Sequence, residues 1–145
     1  MSKNIGNTIY DRSINYYETD QMGIVHHSNY IRYFEEARLD MMEQVGLSYV
    51  AMEEHGLIIP VLSVACEYVK PVLFGDKVQI HTRLVKFDGI KMEFVYEIYC
   101  EGELRTKGES RHCFLDKEMK PVRMKRQFPE IYQRMKELVI TATDK

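Results

Sequence analysis

Asp20, Gly23, His26 and His27 lie within eight consecutive residues, in the run Asp20-Gln21-Met22-Gly23-Ile24-Val25-His26-His27-Ser28-Asn29-Tyr30. A carboxylate, a glycine and two imidazoles are thereby set just ahead of a segment with helical periodicity. The first amides of a helix have no partners within it and sit at the positive end of its dipole, about half an elementary charge. A carbonyl oxygen aimed at such an amide is polarised, and the charge that develops in a tetrahedral intermediate is stabilised there. Asp20, seven residues before His27, is placed to fold back onto the same carbonyl carbon, and Gly23 permits a backbone shape that a larger residue resists. The residue types alone also suit plainer duties, with Asp20 as a turn or capping residue and the histidines as a surface pair.

Other chemistries find no motif. The chain has no H-E-x-x-H, P-loop, G-x-G-x-x-G or G-x-S-x-G, which removes support for zinc proteinase, nucleotide-binding and serine hydrolase readings. Its five histidines (His26, His27, His55, His81, His112) lack a ligand spacing, so no metal site is expected. Cys66, Cys100 and Cys113 are an odd count without C-x-x-C and read as free thiols.

The elements that must position the loop follow from hydrophobic period. From Asn29 onward Tyr30, Phe34, Ala37, Met41 and Val45 recur at three- and four-residue steps, while Arg32, Glu35, Glu36, Asp40 and Glu43 fill a polar face expected to meet solvent. Ser28 or Asn29 is the expected N-cap and Gly46 the expected end, with a second short helix from Ser48 to His55. Before the loop, Thr8 to Tyr17 reads as a strand and Glu18 to Gly23 as a polar loop. After Gly56 the chain is β-like: Leu57 to Val69, a turn at Phe74-Gly75-Asp76, alternation at Val78, Ile80, Thr82 and Leu84, and a hairpin at Asp88-Gly89. Met92, Phe94, Tyr96, Ile98 and Cys100 then alternate, and a last strand spans roughly Leu104 to Leu115. Met119 to Phe128 reads as an irregular basic stretch, and Pro129 to Val139 as a short amphipathic helix.

This order predicts an α+β fold in which a five-stranded, mostly antiparallel sheet wraps one long helix. With 145 residues the chain is expected to form one domain over 1–145. Its 20 basic and 22 acidic residues give no global field for nucleic acid. The longest uncharged apolar stretch, from Leu57 to Glu67, is about half a membrane span. The N-terminus lacks the apolar core of a signal peptide, so a cytoplasmic protein without an integral membrane segment is expected. An open sheet edge predicts association between copies.

The run Tyr16 to Tyr30 resembles the signature of hotdog-fold acyl-CoA thioesterases of the 4-hydroxybenzoyl-CoA thioesterase and YbgC type. That pattern is an aspartate, a glycine three on, a valine five on, a histidine seven on and a tyrosine ten on; Asp20, Gly23, Val25, His27 and Tyr30 fill all five places. Phe34-Glu35-Glu36-Ala37-Arg38 looks like the family's aromatic-Glu-x-Ala-Arg helix start. Pro71-Val72-Leu73-Phe74-Gly75-Asp76 is similar to its Pro-x-x-x-Gly-Asp turn, and Lys120-Pro121-Val122-Arg123 to its tail. The resemblance covers roughly Ile14 to Arg126. Two places depart: His26 stands where an aromatic such as tyrosine is common, and Gln21 where a small residue is common. Both border the acyl group, so they bear on the substrate rather than on the reaction.

The resemblance implies an acyl-CoA thioesterase with Asp20 as the catalytic carboxylate and the backbone amide of His27 as the donor that polarises the thioester. Gly23, Val25, His26, Tyr30 and Glu35 would line the substrate, Glu35 from the helix of a second subunit. It also implies no metal or other cofactor, and a homodimer or homotetramer with sites at the dimer interface. Aspartates ordinarily ionise near pH 4, which suits a nucleophile and makes a weak general base; both roles stay open. The basic residues Lys120, Arg123 and Lys125 are candidates for the phosphates of coenzyme A. The competing readings are a hotdog hydratase or dehydratase, which needs a side-chain imidazole and a Gly-Asp-x-Asn-Pro-x-His-like run absent here, and a non-catalytic acyl-CoA-binding protein.

Overall fold

The computed structural model describes residues 7–139. In chain order the strands are β1 (Asn7–Ser13), β2 (Val61–Tyr68), β3 (Lys77–Phe87), β4 (Lys91–Cys100) and β5 (Glu103–Cys113). The helices are α1 (Ser28–Gln44), α2 (Tyr49–Glu54), α3 (Met124–Gln127) and α4 (Pro129–Leu138), with a 3₁₀ turn at Tyr16–Glu18. The sheet runs β1-β3-β4-β5-β2, every neighbouring pair antiparallel. The expected α+β architecture is therefore present, with β1 and β2 as its two edges.

The core forms where period-two and helical patterns meet. Val78, Ile80, Thr82 and Leu84 of β3 and Met92, Phe94, Tyr96 and Ile98 of β4 alternate inward. They face Tyr30, Tyr33, Phe34, Ala37, Met41 and Met42 of α1, all buried. Phe34 stacks on Tyr96, ring centroids 4.5 Å apart. It can do so because residue 108 on the adjoining strand is glycine: a Cβ there would overlap the Phe34 ring.

Three expectations about boundaries change. β1 ends at Ser13, because Glu18 turns inward and pulls Tyr16–Glu18 into a 3₁₀ turn. β2 begins only at Val61, while Leu57 is buried and Ile58 pairs with Leu115. The basic stretch after Met119 contains α3, whose entry is fixed by the Met124 N–H bonding the Gly89 carbonyl, 2.9 Å.

Two acidic residues read as solvated or in a loop are instead tied to Arg12. Glu18 is buried and pairs with the Arg12 guanidinium at 2.6 Å, and Glu36 takes two bonds from the same group at 2.9 Å each. Burial alone would raise the Glu18 carboxyl, but Arg12, the Asn15 N–H and the Tyr33 hydroxyl outweigh it and hold the group below the usual carboxylate range. This clamp joins β1, the loop that follows it and α1.

A second polar line crosses the core. Arg38 of α1, buried, bonds the hydroxyls of Tyr96 (3.0 Å) and Tyr49 (3.2 Å). Tyr96 meets Ser110 at 2.6 Å, and Ser110 meets Nε2 of His112 at 2.8 Å. Burial, with the nearby Arg38 charge, pushes the His112 imidazole down to about 4. The folded value lies below the unfolded one, so this stabilisation is complete above about pH 6.5 and is lost as pH falls toward about 4. We expect the denaturant midpoint to drop between pH 7 and pH 4.5, by on the order of 2 kcal/mol in stability. His112→Leu should be weaker at pH 7 but nearly flat across that window. Equal acid slopes in the two proteins would show that another group titrates.

Candidate active site

The segment Asp20–Gly23 is a tight turn stabilised by the side chain at its first position. Oδ1 of Asp20 accepts the N–H groups of Met22 (2.8 Å) and Ile24 (3.2 Å). The Asp20 N–H bonds the Ile24 carbonyl and the Gly23 N–H bonds the Asp20 carbonyl. Gly23 has φ +76° with open space around it, where a side chain would cost about 1–2 kcal/mol. Asp20 is thus a turn residue, as its type alone allowed. Its second oxygen, Oδ2, has no partner among the described residues, and the side chain is exposed.

The loop is pinned from both sides. Val25 donates to Val72 (2.8 Å), Phe74 donates to the Gly23 carbonyl (2.9 Å), and His26 donates to the Glu18 carbonyl (2.9 Å). The Asn29 side chain also donates to that Glu18 carbonyl, 2.8 Å. Its amide group is therefore spent on the loop, and the expected Ser28 or Asn29 cap is replaced. His27 occupies the N-cap position with helical dihedrals, and the Ser28 N–H is taken by Nδ1 of His26 at 3.2 Å. The His27 N–H itself finds no acceptor among the described residues.

Asp20, Ile24, Val25, His26, His27 and Tyr30 line one cavity of about 350 Å³. Its far wall comes from Tyr68, Val69, Lys70 and Pro71, none of them identified from the sequence. No alternation marks Tyr68 on β2, where all residues but Cys66 are exposed. The Tyr68 hydroxyl donates to the His27 carbonyl at 3.2 Å, and its ring meets that of Tyr30 edge-on at 5.0 Å. Burial, together with Cys66 and Tyr30, pushes the Tyr68 phenol up to about 12, so it remains a donor at neutral pH. Tyr30 is buried and takes the Val72 N–H at 3.4 Å.

Not every expected residue comes to this cavity. Gly23 shapes the turn beside it without lining it, and Glu35 stands exposed on α1, away from it within one chain. Arg123 and Lys125 flank a separate cavity of about 480 Å³ with Asp88, Gly89 and Ile90, and Lys120 lies in the turn before it.

Asp20, with a carboxylate oxygen unpartnered among the described residues, and His27, with an N–H likewise unpartnered, line one cavity. Residues 14–136 match the thioesterase-like superfamily. The chain belongs to that family. It is a hotdog-fold thioester hydrolase. YneP of Bacillus subtilis is 38% identical over 119 residues, 81% of this chain and 86% of that one. The acyl-CoA thioester hydrolase YbgC of Escherichia coli O6:H1 is 29% identical over 112 residues, 76% of this chain and 81% of its own. Among solved structures, a DHNA-CoA thioesterase from Staphylococcus aureus superposes with a TM-score of 0.86 at 32% identity, covering 93% of this chain and 97% of that one. The fold expected of this thioesterase from its motifs is the fold of these structures. Among the described residues no helix is long and apolar enough to cross a membrane.

Proposed function

We propose that this thioesterase cleaves acyl-CoA thioesters to the free acid and coenzyme A, with Asp20 as nucleophile or general base and the His27 N–H as the donor to the carbonyl oxygen. The observation that carries the reading is that Asp20 and His27 line one cavity, the one with a carboxylate oxygen and the other with an N–H at the start of α1 that have no partner among the described residues. As a nucleophile, Asp20 adds to the carbonyl carbon, the C–S bond breaks, the thiolate leaves, and water hydrolyses the resulting anhydride. As a base, it takes a proton from the water that attacks the same carbon. In both routes the oxyanion forms against His27 and needs no metal. A spectrophotometric free-thiol assay over aliphatic and aromatic acyl-CoAs tests it. Thiol release is expected, whereas hydration of an enoyl-CoA without thiol release would favour the hydratase reading, and tight binding without turnover the acyl-CoA-binding one.

The working unit in this reading is a homodimer joined through β2. Val61, Leu62, Val64 and Tyr68 are each roughly half-exposed along that edge, a mostly apolar strand whose one charged residue is Glu67 near its end. The other edge, β1, is of nearly the same length and carries Asp11 and Arg12.

For the coenzyme A phosphates the proposal remains Lys120, Arg123 and Lys125, which would have to reach the Asp20 cavity from a second subunit. Lys70, at the rim of the Asp20 cavity and paired with Glu103 at 2.5 Å, is the alternative cation. Replacing the three basic residues by Gln should raise KM for acyl-CoA several-fold at low salt with kcat little changed, and the difference should close at 1 M salt, where charges are screened beyond about 3 Å. If Lys70→Gln alone has this effect, the phosphates lie at the rim of the Asp20 cavity instead.

A further inference from the structure

The four amides at the start of α1 are not equivalent. Asn29 donates to the His26 carbonyl at 2.9 Å, Tyr30 to the His27 carbonyl at 3.4 Å, and Ser28 to Nδ1 of His26 at 3.2 Å. Only the His27 N–H is left over among the described residues. Helix starts ordinarily leave several such donors for water or ligands. Here the choice of the remaining one depends on an imidazole at a place where the related pattern commonly has a phenol ring.

The geometry points to His26 as a positioning residue and proton switch: in its neutral form it caps α1 through Nδ1 and leaves the His27 amide as the single donor facing the carbonyl oxygen. This inference rests on the reading of that amide as the thioester-polarising group. A backbone N–H only donates, so Nδ1 must accept from Ser28, and the proton of the neutral ring sits on Nε2. The Ser28 hydroxyl, 2.8 Å from the same nitrogen, then also points its hydrogen at it. The ring is held further by stacking on His27, centroids 4.2 Å apart and 28° between planes.

A second proton on the ring reverses these roles. Nδ1–H becomes a donor, keeps the Ser28 hydroxyl as an acceptor and releases the Ser28 N–H. The ring also places a positive charge at the positive end of the α1 dipole. The helix start then has two unpaired amides and a displaced ring beside the carbonyl. The titratable groups that share the cavity with His26 are Asp20 and His27 from the same loop, Tyr30 from α1, and Tyr68 and Lys70 from β2 and the segment after it. Glu18 lends only its backbone carbonyl, its carboxylate being occupied by Arg12.

The test pairs pH–rate profiles with the amide spectrum of the intact protein. Wild-type kcat/KM should fall about fivefold or more once the pH is low enough to put a second proton on the His26 ring. The loss corresponds to roughly one helix cap. The Ser28 amide resonance should move along the same curve. His26→Asn retains an acceptor oxygen that does not titrate and should flatten both curves, whereas His27→Gln should leave the Ser28 titration in place. His26→Ala should lower kcat/KM at pH 8 and remove the acid limb. A Ser28 amide that stays fixed across the titration overturns the cap, and one that moves while kcat/KM stays flat overturns its role at the site. Wild-type protein that releases no thiol from any acyl-CoA overturns instead the underlying reading of the site.

Discussion

Asp20→Asn should lose acyl-CoA hydrolysis by about 100-fold or more while folding normally. A positioned carboxylate acting as base contributes on the order of 10²–10⁴, and an amide is neither a nucleophile of comparable strength nor a base. The substitution is informative because the turn and the proposed reaction use different oxygens of Asp20. Oδ1 holds the turn by accepting from Met22 and Ile24, and the carboxamide oxygen of Asn can accept both bonds. Oδ2, unpartnered among the described residues, is the atom that changes. Circular dichroism and the thermal midpoint should therefore match the wild type, whereas Asp20→Ala should lose activity and turn together. A folded Asp20→Asn protein with half the wild-type turnover would remove Asp20 from the mechanism, whatever the fate of the rest of the site.

The second large effect is expected at the β2 edge. Val64→Lys combined with Leu62→Lys should convert a particle of at least twice the 17.2 kDa chain mass into a monomer by sedimentation, with activity falling at least about tenfold. Burying a lysine without a partner across a strand pair is strongly unfavourable, and lysine on an exposed edge is the usual device that keeps sheets apart. Activity should follow because Tyr68, at the end of the same strand, donates to the His27 carbonyl and forms part of the Asp20 cavity wall. Loosening β2 loosens His27, the residue proposed to donate its amide to the carbonyl oxygen. A wild-type monomer with full activity would contradict both the assembly and the placement of the site beside it.

The amino-acid sequence by itself determined the elements and singled out the Asp20–Tyr30 loop. Alternation in β3 and β4, the helical stripe from Tyr30 to Val45, the glycine stops and the Asp20–Tyr30 spacing are local patterns, and local patterns survive in the chain whatever it later packs against. The structure follows them closely, with α1 over Ser28–Gln44 and all five strands in the expected order. What only the tertiary structure decided were the pairings across long separations. Glu18 and Glu36 carry no mark in the sequence distinguishing them from Glu35, yet Arg12 binds both and Glu35 stays exposed. Ser28 and Asn29 are good caps by type, but the Glu18 carbonyl claimed the Asn29 amide and His26 claimed the Ser28 N–H. Tyr68 and Lys70 reach the Asp20 cavity from some forty residues away, because β2 pairs with β5 at the sheet edge and its end returns beside the start of α1. A residue's type states which bonds it is able to make; which one it makes is settled when folding removes water and leaves each buried donor and acceptor only the partners that the backbone has brought within reach.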